Sequence, residues 1–247
     1  MELQGCWGLL WQTLIPLTVG VPMCGRFNVI DNPGLRQMLQ DLGIDLQLPT
    51  AVNVAPTENI TVLRRDAHGL HATCARWWLT PSWAKAVDQK YSMFNARSET
   101  LAKSPAFRHP FKSQRGLVAM SSFIEWRLEE GVKQPWLITN EQQALAVAAL
   151  WDVWEGGEQP LLSCTLVTTA AAPHFEPWHK RMPVLLTREE SVRWLDNSQP
   201  IGTNDTLFRG ELKMPLRLQP LSRAVSNARN KDLPVLQGIG DVIELPA

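Results

Sequence analysis

The run LVAMSSFIEW at residues 117–126 and the run QPWLIT at 134–139 are apolar and rich in β-branched and aromatic residues, with Glu129, Glu130 and Gly131 between them. Short apolar runs bounded by turn residues read as neighbouring strands. The same grammar recurs along the chain. Residues 60–65 and 70–77 read as a hairpin around His68 and Gly69. Residues 144–151 and 164–169 are apolar, β-rich runs, and 216–221 is a late strand. Helices fit between them. Residues 32–42 have Asn32 placed as a cap and Pro33 at the first helical position. Residues 187–195 open on the capping box Thr187-x-x-Glu190, and 98–107 is a third helical segment. Many short strands with a few helices, not in strict alternation, predict an α+β fold. Its core is mostly antiparallel and barrel-like, with peripheral helices, rather than a parallel sheet.

A length of 247 residues suffices for one domain, or at most two small ones. Lys plus Arg equals Asp plus Glu at 24 each, so no bulk charge announces a nucleic-acid partner; any DNA contact must come from a local basic patch. Eleven Trp against one Tyr serve mostly as core filling, with one or two free to stack on bases. Four cysteines without a CxxC pair or a disulfide framework suit a reduced, intracellular protein. His68, His71 and Cys74 have ligand-like spacing but straddle a turn, where strand alternation scatters side chains, so no metal is expected.

Residues 1–22 are apolar and Trp-rich, yet Glu2 replaces the basic flank of a signal peptide and no small-x-small site precedes Met23. Gln12 and Pro16 interrupt the segment, which barely reaches membrane-spanning length. It reads either as a poor membrane anchor or as an extension from a start codon placed too far upstream. The expected organisation is an extension at 1–22 and one domain at 23–247.

Several separated motifs then fall in one order. They are Met23-Cys24-Gly25-Arg26-Phe27, Asn53-Val54-Ala55-Pro56-Thr57, Trp78-Leu79-Thr80-Pro81-Ser82-Trp83, Asn95-Ala96-Arg97-Ser98-Glu99-Thr100, Phe123-Ile124-Glu125-Trp126, His179-Lys180-Arg181-Met182-Pro183 and the closing stretch from Val225 to Asn230. Together they resemble the SRAP family, the SOS-response-associated peptidases, from Met23 to about Leu233. Leu79 and Ser122 stand where that family usually has Gly. The resemblance implies an SRAP-like fold, binding of single-stranded DNA and a covalent, lyase-like crosslink to abasic sites in the DNA damage response. It also implies a peptidase activity that exposes the cysteine. No cofactor, metal or membrane is implied. The expected protein is a monomer acting in the cytoplasm, at the nucleoid. The extension at 1–22 matches none of the motifs, which favours the upstream-start reading.

The chemistry explains why such a protein needs Cys24 at its N-terminus. An abasic sugar opens to an aldehyde. An α-amine condenses with it to an imine, and a thiol on the next carbon closes a five-membered thiazolidine. Amine and thiol have ordinary pKa values of roughly 8 and 8.5, so reactive fractions exist near neutrality. Glu125, on an apolar strand, reads as a partly buried acid with a raised pKa that moves protons during imine formation. His179 can pass a proton to the sugar ring oxygen, and Asn95 can orient the α-amine. Gly25 with Arg26, Arg97 and Arg181 are the expected phosphate contacts. Trp77 and Trp78 are adjacent on a strand, so one fills the core while the other stacks on bases. The structural alternatives are a buried cysteine, an edge carboxylate, a surface histidine and a turn asparagine. Two other functions use the same residues: a cysteine peptidase with Cys24, His179 and Glu125, and a reader of modified DNA without chemistry.

Overall fold

The apolar run around 117–126 folds as two strands rather than one, because the chain turns a corner at Ser121. The computed structural model describes residues 25–247. The extension and Cys24 lie outside the described residues. In chain order the strands are β1 (Arg26–Val29), β2 (Ala51–Val54), β3 (Asn59–Asp66), β4 (Gly69–Trp77), β5 (Asn95–Arg97), β6 (Arg115–Met120) and β7 (Ser122–Glu129). They continue with β8 (Val132–Thr139), β9 (Leu145–Trp154), β10 (Leu161–Ala170), β11 (Arg181–Pro183), β12 (Leu185–Leu186), β13 (Leu216–Pro220) and β14 (Ile243–Leu245). The helices are α1 (Pro33–Asp41), α2 (Arg108–Ser113) and α3 (Arg188–Leu195).

One sheet has the order β14-β13-β8-β7-β1-β2. The other runs β11-β10-β4-β3-β6-β9-β12, with β5 beside β10. Pairing of β9 with β10 draws this second sheet into a ring. The ring is not a closed barrel, since β10 meets β4 at only two register pairs. The α+β, mostly antiparallel reading holds. Only β10 departs from it, running parallel to β4 and β5.

The corner that feeds both sheets is built from buried hydrogen bonds. Ser121 N donates to Asn28 O at 2.9 Å and its Oγ donates to the same carbonyl at 3.0 Å. Asn28 Nδ2 donates to Ser122 Oγ at 2.8 Å, and Asn28 Oδ1 accepts from Asn53 N at 2.7 Å. Asn53 adopts φ 52°, a left-handed conformation in which Asn is among the few tolerated residues. From there its Nδ2 reaches the carbonyls of Val225, Asn227 and Asn230 at 3.0–3.1 Å. The motifs at 53–57 and 225–230, far apart in sequence, thus meet at one side chain.

Alternation along β7 sorts its residues between two faces. Phe123 joins the main core between the sheets. Ile124 and Trp126 face outward, where Leu221 and Val225 cover them. Glu125 is fully buried and lies on the inner face with Phe123.

The sequence reading of the helices holds at two places. Asn32 Oδ1 accepts from Leu35 N at 2.9 Å to cap α1, and Thr187 and Glu190 form the capping box of α3. The helix expected at 98–107 does not form. A short 3-10 turn at Ser98–Thr100 is followed by turns, and α2 begins only at Arg108. Pro105 has no N–H to give and keeps the preceding residue out of the helical region. Among the described residues no helix is long and apolar enough to cross a membrane.

Asn28→Ala removes the partners of two buried polar groups at the corner, Asn53 N and Ser122 Oγ. The expected loss is about 1–3 kcal/mol. Urea unfolding checks it as a lower midpoint at unchanged slope; an unchanged midpoint contradicts the assignment.

Candidate functional site

Two groups of paired strands carry most of the expected site residues. In the first, Arg26 of β1 lies opposite Ile124 of β7, and Phe27 opposite Phe123. Gly25, buried and next along this register, therefore reaches the level of Glu125. In the second, β10 acts as a spine. Its Leu166 and Thr168 pair with Asn95 and Arg97 on one side, and its Ala170 pairs with Arg181 on the other.

Aromatic contacts join the two groups. Phe27 packs edge-on against Trp77 at 5.1 Å, and Trp77 packs against Phe94 at 5.9 Å, the residue before Asn95. Trp77 Nε1 also donates to Phe94 O at 2.9 Å. From the other direction, Trp136, which sits opposite Glu125, meets Trp178 edge-on at 5.7 Å. Trp178 directly precedes His179. Asn95 and His179 are thus each held one residue from a ring anchored in the core.

This geometry revises the role given to Trp77 and Trp78. Both are buried, at 0% and 6% exposure, and both grip Phe94. The chain bends out of β4 after Trp77, so strand alternation does not send the second ring to solvent. Neither ring is open to solvent here, and both support the Asn95 segment by packing. The ring of that segment that faces solvent is Trp83, at 64% exposure.

The polar groups differ in how far they are already engaged. His179 Nδ1 lies 3.1 Å from Arg181 N and 3.2 Å from Arg181 O. A neutral ring accepts from the N–H, and a protonated ring donates to the carbonyl, so both states find a backbone partner. Burial pushes the His179 pKa down. The bond to the Arg181 backbone opposes this, the Arg181 charge adds to it, and the result lies below the ordinary 6.5. Near neutral pH the ring is therefore uncharged. Asn95 is half-buried.

Of the arginines, Arg97 is exposed and makes no ion pair among the described residues. Arg26 is half-buried, with Nη1 donating to Gly25 O at 2.8 Å and its guanidinium 5.9 Å from the Trp126 ring. Burial lowers its pKa and the charge of Glu58 pulls the other way; an arginine stays charged regardless. Arg181 holds Glu99 through two hydrogen bonds, at 2.8 and 3.0 Å.

Residues 23–228 match the family model described as SOS response associated peptidase (SRAP). The chain belongs to the SRAP family. Among its relatives, the abasic site processing protein YoqW of Bacillus subtilis is 38% identical over 188 residues, which cover 72% of this chain and 83% of YoqW. The abasic site processing protein HMCES of Xenopus tropicalis is 30% identical over 211 residues, covering 72% of this chain and 63% of HMCES. Solved structures share the fold. A protein from Bordetella bronchiseptica superposes with TM-score 0.67 at 21% identity, over 81% of this chain and all of its own. One from Bacteroides thetaiotaomicron gives 0.68 at 18% identity, over 87% of this chain and all of its own.

Several residues that shape this SRAP site carried no role in the sequence reading. Glu99 and Asn53 lay inside quoted motifs, but nothing in the motif itself shows what each one bonds. Arg127 lies two residues beyond Glu125 on the same face of β7, with its guanidinium 5.2 Å from the Trp178 ring. Only the fold brings that ring to it.

The depressed His179 pKa has a thermodynamic consequence. Unfolded, the ring titrates near 6.5; folded, it titrates lower. Between those values the unfolded chain binds more protons, so acidification below 6.5 destabilises the fold. The stability advantage of wild type over His179→Asn is expected to shrink as pH falls from about 7.5 to about 5.5. Urea unfolding of both proteins across that range checks it; an advantage that grows on acidification contradicts the depressed value.

Proposed function

We propose that this protein processes abasic sites: it binds single-stranded DNA and captures the exposed sugar aldehyde as a thiazolidine on Cys24, once that residue is N-terminal. Membership of the SRAP family and the names of the relatives supply the substrate class. The observation that carries the chemistry is the β1–β7 register, which brings Gly25, the residue bonded to Cys24, to the level of the buried Glu125.

The amine of Cys24 adds to the aldehyde carbon and the adduct loses water to give an imine. The thiol then adds to the imine carbon and the nitrogen regains a proton. One water leaves overall, and no oxidant or cofactor is consumed. Glu125, held out of bulk solvent, is suited to carry the protons that these steps exchange. Asn95 orients the amine. His179, neutral near pH 7, passes a proton to the ring oxygen as the closed sugar opens. Arg97, Arg26 and Arg181 hold the backbone phosphates, so a chain of zero net charge binds DNA through a local cluster.

The mechanism needs a free amine on Cys24, and 23 residues precede it in the chain as written. We infer that synthesis begins at Met23 and that removal of this methionine exposes Cys24; residues 1–22 are then absent from the working protein.

Protein that starts at Cys24 is expected to form a heat-stable adduct with single-stranded DNA carrying an abasic site, and none with intact DNA of the same sequence. Cys24→Ala should abolish the adduct. Glu125→Gln should leave DNA affinity near wild type and slow adduct formation roughly tenfold or more. Denaturing gels and intact mass read both effects, and a thiazolidine formed by Cys24→Ala would sink the mechanism. N-terminal sequencing of the native protein is expected to begin at Cys24. A native chain that begins at Met1 and still crosslinks would leave only a thiol-based role for this cysteine.

A further inference from the structure

A guanidinium has five N–H donors. In Arg181, Nη1 donates to Glu99 Oε1 at 2.8 Å, and Nη2 donates to Glu99 Oε2 at 3.0 Å and to Thr168 O at 2.8 Å. Nε is buried and has no hydrogen-bond partner among the described residues. One Nη1 hydrogen is left to meet an incoming group. Arg181 therefore cannot grip a phosphate with two parallel bonds while Glu99 occupies its outer edge. Arg97, across β10, carries no such carboxylate.

Glu99 is built to leave. Its side chain is 52% exposed, against 17% for Arg181. It sits on the 3-10 turn Ser98–Thr100, outside every sheet, so a rotation about its own side-chain bonds moves it into solvent without disturbing the core. Burial is the largest single influence and raises its pKa, but the bond and charge of Arg181, with the hydrogen bonds from its own backbone and from Ser98, together outweigh it and hold the carboxyl below the usual range. It is therefore an anion at neutral pH. A carboxylate seated two-pronged on an arginine presents its oxygens much as a phosphodiester does.

We infer that Glu99 is the resident anion of the Arg181 fork: it fills the phosphate position in the DNA-free protein, and a backbone phosphate of the bound strand displaces it. This rests on the reading of Arg181 as a phosphate contact. The exchange swaps one anion for another. A lone phosphate or a loosely held strand gains little by it, whereas a strand already pinned at Arg97 presents its next phosphate at high local concentration. Glu99 thereby discounts stray polyanions and favours a strand in register.

The test measures affinity of the full chain for an intact single-stranded oligonucleotide, by fluorescence anisotropy over a range of salt. The variants are Glu99→Gln, Glu99→Ala, Arg181→Ala, the Glu99→Gln/Arg181→Ala double and Glu176→Gln. Glu176 is an exposed glutamate in the segment before His179 and serves as a charge control. Arg181→Ala is expected to weaken binding. Both Glu99 variants should tighten it about threefold or more, whereas the dependence of log Kd on log salt should flatten by about 0.7 only where Arg181 is removed, because the phosphate contact forms in the wild-type complex as well. The gain should vanish in the double variant, and Glu176→Gln should change affinity less than either Glu99 variant. If Arg181→Ala binds as well as wild type, Arg181 is no phosphate contact, and both that assignment and the inference fall. If Arg181→Ala weakens binding but the Glu99 variants do not tighten it, the phosphate contact stands and Glu99 merely orients Arg181. An equal gain in the Arg181→Ala background, or from Glu176→Gln, would mark a general charge effect and overturn the inference as well.

Discussion

Ser121 stands where the chain leaves one sheet for the other, and its hydrogen bonds to Asn28 hold that corner. The corner sets the phase of β7. With Phe123 committed to the core, alternation sends Glu125 inward and Ile124 and Trp126 outward. A slip of one residue would exchange those faces and carry the carboxylate out of the site. Asn28 extends the constraint to Asn53, and Asn53 to the segment around Val225 and Asn227, so the outer cover of β7 is tied to the same polar network. Such a network rigidifies a fold because each unmade bond would leave a buried polar group without water.

A second constraint comes from aromatic packing between the sheets. Trp77 bridges Phe27 and Phe94, while Trp178, the residue before His179, packs against Trp136 and Phe175. Asn95 and His179 then sit on backbone that cannot move far without uncovering a buried ring. The abundance of tryptophan is in this way a matter of precision as well as of core volume. The covalent capture proposed above would use that precision, since amine, thiol and proton carriers must all meet one carbon atom.

Charge is handled locally. Arg26, Arg97, Arg127 and Arg181 each meet a different local setting in a chain whose charges sum to zero. They are not equivalent. Arg97 is open to solvent, Arg26 and Arg127 lie against tryptophan rings, and Arg181 is already held by a carboxylate. Four basic side chains that look alike in sequence differ in what each still has to offer.

The amino-acid sequence by itself determined the elements whose signals are local. The caps at Asn32 and Thr187, the hairpin around Gly69 and the apolar runs of β8, β9 and β10 each depend on neighbours within a few residues, and all were legible. The ordered motifs from Cys24 to Asn230 likewise pointed to the family, and they supplied the residues proposed for the site. Tertiary structure alone decided what depends on partners far along the chain. It split the run at Ser121 because Asn28, some 93 positions away, claims that backbone. It buried both Trp77 and Trp78, which pack against the same distant ring, Phe94. It gave Arg181 to Glu99, 82 positions earlier. Periodicity and motif spacing report which residue types a segment holds and which way a regular strand or helix would turn them. They carry no term for the distant group that completes a hydrogen bond, and that group fixes what each side chain is left free to do.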